Sequence, residues 1–330
     1  MSANSNLSST KLSRRGLLQG SAAAIAMHGL PAWAAWPDKP IKIVVTFPPG
    51  GSSDLLARLI AEPLGKRLGQ SVVIDNRPGG GGTIGGTAVA QAAPDGYTLM
   101  LSNTTPIALG PFTIDKQPYD PVEAFTHVAY LGSAPLAIMV NAASGIKTLA
   151  DLEARAKAGV VNFGSGGPGA IGHIHGELMK RSLGLKMEHV PYRGGAPMTT
   201  DLIAGVIPVG IDVITAYVPH FKAGTIVPIA VTGQERCPLT PDVPTVVELG
   251  KRGLVLENFF GLSAPAKLPA DISARVLAAA NEVMALPEIR AKLFDLAISS
   301  KPMSTAGFGD FVKNQVAVLS NTVKASAIKI

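Results

Sequence analysis

One alternation constrains this chain more than any other feature. Short runs of β-branched residues are followed by turns of small residues and then by segments with helical periodicity. The first instance is the clearest: 41–47 (IKIVVTF), the turn 48–53 (PPGGSS), and a helix opening near Asp54 with Leu55, Leu56, Leu59 and Ile60 on one face. Repeated along a chain, this pattern specifies α/β layering, with strands buried between helices. The turn itself reads as an anion seat. Ser52, Ser53 and Asp54 are N-cap residue types, so the free N–H groups of the first helical turn point back over Gly50 and Gly51. Bare glycine backbone lets an acidic ligand approach, and a helix N-terminus favours a negative charge by about 0.3–1 kcal/mol, up to about 2 when partly buried.

The same motif recurs at 160–171, where a strand runs into 164–169 (GSGGPG) and a helix follows from about Ile171 to Leu183. Between the two motifs lie strands at 71–75 and 97–101, a glycine loop at 76–82 feeding a helix at 83–92, and the apolar runs 127–131 and 136–140. These last two read as one long buried strand with an interruption, crossing from one domain to another. Strands at 188–192, 209–214 and 227–232 alternate with helices at 149–157, 196–204 and 217–223. An extended stretch at 254–264 then returns to the first unit, and amphipathic helices at 271–285, 288–296 and 308–324 pack outside it. The expected organisation is a discontinuous first domain, 36–135 plus 259–330, enclosing a second domain, 136–258.

Residues 1–34 contain no acid and carry SRRGLL at 13–18, a mildly apolar run, and AWA at 32–34. These are the parts of a cleavable export signal of twin-arginine type, so cleavage after Ala34 and a periplasmic protein are expected. Loss of Lys11, Arg14 and Arg15 lowers the formal charge from +6 to +3. The chain has no basic cluster interleaved with aromatics, and aromatics are only 5% of it, which argues against nucleic-acid binding. The single cysteine, Cys237, permits no internal disulfide, so stability must come from buried cores.

Several familiar chemistries are excluded by spacing. Gly80, Gly82 and Gly85, and again Gly164, Gly166 and Gly169, fit G-x-G-x-x-G, but neither set opens the first β-turn-α unit or is followed by a ribose-binding acid. His173 and His175 are two residues apart and so point to different helix faces. With Glu177 and His189 they do not make a metal site, and no metal or cofactor is expected. There is no G-x-S-x-G and no Walker loop, and Ser165 has no obvious base.

Segments 47–54 (FPPGGSSD), 75–79 (DNRPG), 93–97 (APDGY), 189–197 (HVPYRGGAP) and 241–245 (PDVPT) together resemble the tripartite tricarboxylate transporter substrate-binding proteins, the Bug-type solute receptors. The resemblance runs in order along nearly the whole chain after the signal. It implies a type II periplasmic binding protein, two α/β domains around a ligand cleft with a hinge of crossing strands. It also implies a small organic carboxylate as ligand and membrane permease subunits as partners, and a monomer is expected because one surface must meet that partner both open and closed. Carried onto this sequence, the ligand-binding residues are Phe47, Pro49, Gly50, Gly51, Ser52 and Asp54 in the first loop and Ser102, Thr104 and Thr105 after the third strand. Gly164, Ser165, Gly166, Gly169 and Ala170 join them from the second glycine turn, with Asp212 from a strand end. Relatives often have a histidine and an asparagine at Ile107 and Gly110, so a more apolar pocket is expected if those positions line the cleft. Competing classes are a ligand-sensing subunit for a membrane kinase and an exported enzyme acting on carboxylates; the sequence shows no acid/base pair for the latter.

Overall fold

In the computed structural model, which describes residues 36–113, 116 and 118–325, three of the expected strands form parallel neighbours. Strand β1 (Ile41–Val45) pairs with β2 (Val72–Asn76) on one side and β3 (Thr98–Asn103) on the other. The buried faces of β1 and β3 explain their nearly continuous apolar composition. Helix α1 (Ser52–Leu68) follows β1 and buries Leu56, Ile60 and Leu64; Gly69, at φ 81°, ends it in the left-handed conformation. Helix α2 (Thr83–Ala90) follows a short helical turn at Gly80–Gly82. After β3 the chain makes a wide helical turn at Thr105–Leu109 and a four-residue helix, α3 (Gly110–Thr113).

Strand β4 (Phe125–Asn141) is continuous over 17 residues. The expected interruption is a pair of register shifts, one of them between Tyr130 and Gly132. Gly132 adopts φ 144°, and a Cβ there would lie 2.7 Å from the Ser299 carbonyl oxygen, so only glycine fits at this bulge. The strand serves two groups of strands. Its first part, through Pro135, pairs antiparallel with β9 (Glu257–Pro265), and β9 in turn pairs with β3. From Leu136 onward it pairs with β7 (Val209–Val213) and β8 (Ile226–Val231). Strand β5 (Val161–Ser165) lies between β7 and β6 (Met187–Pro191), parallel to both.

The second group carries helices α4 (Leu149–Ala158), α5 (Ile171–Leu183), α6 (Gly195–Ile203) and the short α7 (Val218–Lys222). Helices α8 (Ala270–Ala285), α9 (Pro287–Asp295) and α10 (Thr305–Ala325) follow β9. Each group has its own core. Val44, Met100, Phe259 and Phe308 pack in the first, and Met139, Met198, Leu202 and Tyr217 in the second. The result is a two-lobed α/β architecture on one curled nine-stranded sheet. The segment from Lys39 onward packs as a single unit.

Where the lobes join, Thr232 ties both crossing segments. Its N–H donates to the Leu136 carbonyl at 3.0 Å, its hydroxyl accepts from Leu136 N–H at 2.8 Å and its carbonyl accepts from Leu256 N–H at 3.1 Å. Among the described residues no helix is long and apolar enough to cross a membrane. The export signal expected at 1–34 lies outside the described residues.

Candidate functional site

Three helices begin where the lobes meet, and none of them has a side-chain cap. Helix α1 starts from Gly51, α5 from Ala170 and α6 from Gly194. Each follows a strand of its sheet through a short turn that carries glycine, β1, β5 and β6 respectively. The first-turn N–H groups of a helix have no acceptor within it, so these three ends turn a set of donors toward one place. That place is a cavity of about 50 Å³. Since one water needs about 10–15 Å³ measured this way, it holds a handful of water-sized groups.

From the first lobe the cavity is lined by Phe47, Pro48, Gly51, Ser52, Ser53, Asn103, Thr105 and Asn258, and from the second by Gly166, Ala170, Ile171, Gly194, Gly195, Asp212 and Val213. No lysine, arginine or histidine is among these residues. An outer chamber of about 290 Å³ shares Phe47, Pro48, Gly166 and Gly194 and adds Gly79–Gly82, Tyr192 and Arg193. The lips are close: a Cβ built on Gly194 would lie 3.1 Å from Pro48 Cγ, and one on Gly81 would lie 3.0 Å from the Gly169 carbonyl oxygen.

Of the residues expected at the site, the structure brings together Phe47, Gly51, Ser52, Thr105, Gly166, Ala170 and Asp212 around the cavity. The others stand behind it. Pro49 and Gly50 are exposed on the turn. Asp54 points away from the cavity and fixes that turn: its carboxylate accepts from Gly50 N–H at 2.9 Å, Arg58 Nε at 2.9 Å and Asn76 Nδ2 at 3.0 Å. Burial opposes its charge, but the bonds from Arg58, Gly50 and Asn76 outweigh that and hold its pKa below the ordinary value. The helix is therefore capped by Gly51, with Ser52, Ser53 and Asp54 inside its first turn rather than at the cap.

Ser102 accepts from the Ser263 hydroxyl at 2.8 Å, and Thr104 bonds the β9 backbone at Glu257 and Phe259. Gly164 lies in β5, and Gly169 N–H donates to His173 Nδ1. Ser165 does have a base beside it, contrary to expectation: His189 Nε2 is 2.7 Å from its hydroxyl. The pair is not a nucleophile, because Ser165 has no exposed surface and also bonds Gly167. Burial, and then the stacked His173 ring 3.8 Å away, push His189 down to about 3.

Ile107 and Gly110 do not reach the cavity. Ile107 is fully buried with Met100 and Phe259, and Gly110 packs against Gly81, so the exchange at these positions does not set pocket polarity. Arg77 pairs with Asp75 at 3.0 Å. Among the described residues no group of three His, Cys, Asp or Glu side chains is placed to hold a metal.

Beside the expected Asp212 stand residues that the sequence did not point to, among them Gly194, Gly195, Asn103, Asn258 and the apolar Ile171 and Val213. Gly194 and Gly195 open a third helix end, and the signal for it was present, since an expected strand at 188–192 runs into the glycines of 192–195 (YRGG) and a helix follows. Asn103 donates to the Ser53 hydroxyl at 3.0 Å and accepts from Thr105 N–H at 3.0 Å, so it positions two cavity hydroxyls at once. Asn258 arrives from β9, far along the chain. Asp212 Oδ2 accepts from the Tyr217 hydroxyl at 3.0 Å and Oδ1 from Val213 N–H at 2.8 Å; desolvation raises its pKa to about 6 against those two bonds.

Two α/β lobes on crossing strands, with a cavity of backbone donors between them, define a solute-binding receptor. Residues 56–328 match the tripartite tricarboxylate transporter family receptor, and the chain belongs to that family. It is similar to Protein BugT of Bordetella pertussis, 37% identical over 70% of this chain and 72% of that one. Among solved structures it is similar to Rpa4515 of R. palustris with adipate, at 31% identity and TM-score 0.84 over 89% of this chain and 99% of that one. It is also similar to MatC of Rhodopseudomonas palustris with bound malate, at 29% identity and TM-score 0.83 over 87% of this chain and all of that one. The family and these neighbours are solute-binding receptors, not enzymes.

Proposed function

We propose that this protein is a periplasmic receptor that closes over a small organic carboxylate and delivers it to the permease subunits of a tripartite tricarboxylate-type transporter. The observation that carries the reading is the convergence of three uncapped helix N-termini, from both lobes, on a cavity lined, among the described residues, by no cationic side chain. Such a site suits an anion held by backbone N–H groups and hydroxyls. Ser52, Thr105 and Asn258 add side-chain donors beside them. Charge-assisted hydrogen bonds net roughly 1.5–3 kcal/mol each, so several reach the about 8 kcal/mol of micromolar binding after ordering costs. Two related structures hold small organic acids of this chemical class, adipate and malate.

In this reading the moving bodies are 36–135 with 259–330 and 136–258, and the hinge lies where β4 changes partners, between Pro135 and Leu136. Opening separates the α1 end from the α5 and α6 ends and so dismantles the anion seat. The receptor is exported through its twin-arginine signal, cleaved after Ala34, and acts as a monomer.

A thermal-shift series against dicarboxylates, citrate, amino acids and aromatic or branched monocarboxylates tests the proposal. A ligand at 100 times its Kd adds about 2.7 kcal/mol, several degrees in Tm. A shift from at least one carboxylate is expected; protein purified free of ligand that responds to none of them contradicts the reading.

A further inference from the structure

The cavity that suits a carboxylate also contains one. Among the described residues Asp212 is the only titratable side chain lining it, and it is half-buried there. Two glycines keep its Oδ2 bare on the cavity side. A Cβ on Gly195 would lie 3.3 Å from Oδ2 and one on Gly166 would lie 3.6 Å away, so the space a side chain would fill is open to a guest.

Among the cavity-lining residues Asp212 meets hydrogen-bond donors but no opposite charge; Arg193, exposed on the turn before α6, lines the outer chamber and not the cavity. Tyr217 donates to Oδ2 and is the titratable group in contact with it. On α5, His175 Nε2 bonds the Leu254 carbonyl, His173 stacks on His189, Glu177 pairs with Lys180, and Arg181 sits in the last turn, away from the cavity end. On α6, Asp201 accepts from Tyr192. Strands β4 and β5 carry no charged residue in the stretches paired with β7. Across the cavity Ser52, Ser53, Thr105 and Asn258 are uncharged, and Asp54 is turned to Arg58. An anionic guest therefore meets an anionic wall with no cation between them, while the N–H groups that attract it lie around the same small space.

We propose, building on the carboxylate-receptor reading, that Asp212 selects the guest by requiring a hydrogen atom between its Oδ2 and the bound acid. Acids with a 2-amino or 2-hydroxy group bring that hydrogen themselves, and a plain carboxylate is held only together with one proton taken from solvent onto Asp212. The carboxyl's raised pKa, about 6, makes that uptake accessible near neutrality. One linked proton changes affinity about tenfold per pH unit above the pKa of the free group, and a guest that supplies its own hydrogen shows no such slope.

The experiment is titration calorimetry between about pH 7 and 8.5, in pairs of buffers with different protonation heats, using succinate and adipate as plain diacids, malate as the 2-hydroxy acid and aspartate as the 2-amino acid. For each plain diacid that binds, the expected result is a Kd rising about tenfold per pH unit with one proton absorbed. For malate or aspartate it is a flat Kd with no proton absorbed. Asp212→Asn abolishes the slope for plain diacids and weakens aspartate at least tenfold. The buffer-dependent heat needs no variant, so the test stands even where Asp212→Asn folds poorly. A plain diacid that binds with pH-independent affinity and no proton uptake overturns the role of Asp212 and leaves the receptor reading intact. A slope that persists in Asp212→Asn does the same. Failure of all four acids and of the wider carboxylate series overturns the receptor reading, and the role of Asp212 with it.

Discussion

Gly166→Ala separates binding from folding. Gly166 lines the cavity and does not have positive φ, so alanine fits its backbone without strain. The added methyl meets nothing closer than Asp212 Oδ2 at 3.6 Å, Gly195 N at 3.8 Å and Gly194 C at 3.9 Å, all ordinary contact distances. The fold therefore loses nothing, and stiffening of the unfolded chain gives a gain of about 0.4–1 kcal/mol. The cavity, in contrast, loses much of its room. A methyl takes about the space of one water, roughly 30 Å³ of liquid volume, in a cavity that holds only a handful of water-sized groups. A carboxylate displaced from one or two charge-assisted hydrogen bonds loses roughly 1.5–3 kcal/mol for each, which corresponds to a 10- to 100-fold weaker Kd or more. Thermal denaturation with and without malate or adipate reads both effects from one sample. The expected result is an unchanged or slightly raised Tm without ligand and a much smaller ligand-induced shift. A variant that keeps the full ligand shift refutes the assignment of this cavity.

Other perturbations follow from the same geometry. Gly172→Ala, two residues into α5 from its cap, drives a Cβ to 1.9 Å from the Ile211 carbonyl oxygen, so the backbone itself must move; urea denaturation is expected to show a loss above about 2 kcal/mol, and a loss under 0.5 contradicts the packing. Asp54→Ala unties Gly50, Arg58 and Asn76 and leaves the first turn unanchored; a stability loss of about 1–3 kcal/mol together with weaker ligand binding is expected, and unchanged binding means the turn does not need its brace. The pH dependence has two opposed parts. Burial lowers His127 and His175 to about 4 from 6.5, so each contributes stability above pH 6.5 that is lost as pH falls through 4, about 3 kcal/mol apiece. Asp212, raised from 3.8 to about 6, acts the other way, its full stability being present below 3.8 and about 3 kcal/mol lost as pH rises through 6. Urea titrations of the empty receptor should show a net loss on acidification from pH 7 to 4, and Asp212→Asn should be more stable than wild type at pH 8; stability independent of pH contradicts both.

What was legible in the sequence is what local chemistry controls. The strand-turn-helix unit at 41–68 and its repeat at 161–183 can be read from β-branched residues, glycines and helical spacing, because each is one continuous local stretch of chain. The 17-residue β4 was legible as a crossing element because both of its halves are apolar. Less legible were groups whose partners lie far along the chain. Asn258 comes from β9 to a cavity whose other residues begin at Phe47, and no spacing rule links the two. The His189 partner of Ser165 is set by the parallel register of β5 and β6, which places Phe163 opposite His189, and a single sequence does not fix that register. Whether Ile107 lines the cleft was open in the sequence, because nothing local fixes the path after β3; the wide turn at Thr105–Leu109 buries it in the first lobe's core. Asp54 was seen as a cap and ligand residue; its role as a brace depends on Asn76, reached through the pairing of β1 with β2.

The central claim is that an organic carboxylate sits on the helix ends of both lobes at once. A crystal structure of the protein grown with malate or adipate tests it most directly. The expected result is a carboxylate group in the cavity, within about 3 Å of first-turn N–H groups of α1 and of α5 or α6. A carboxylate bound elsewhere, or held by an arginine or lysine away from these helix ends, contradicts it.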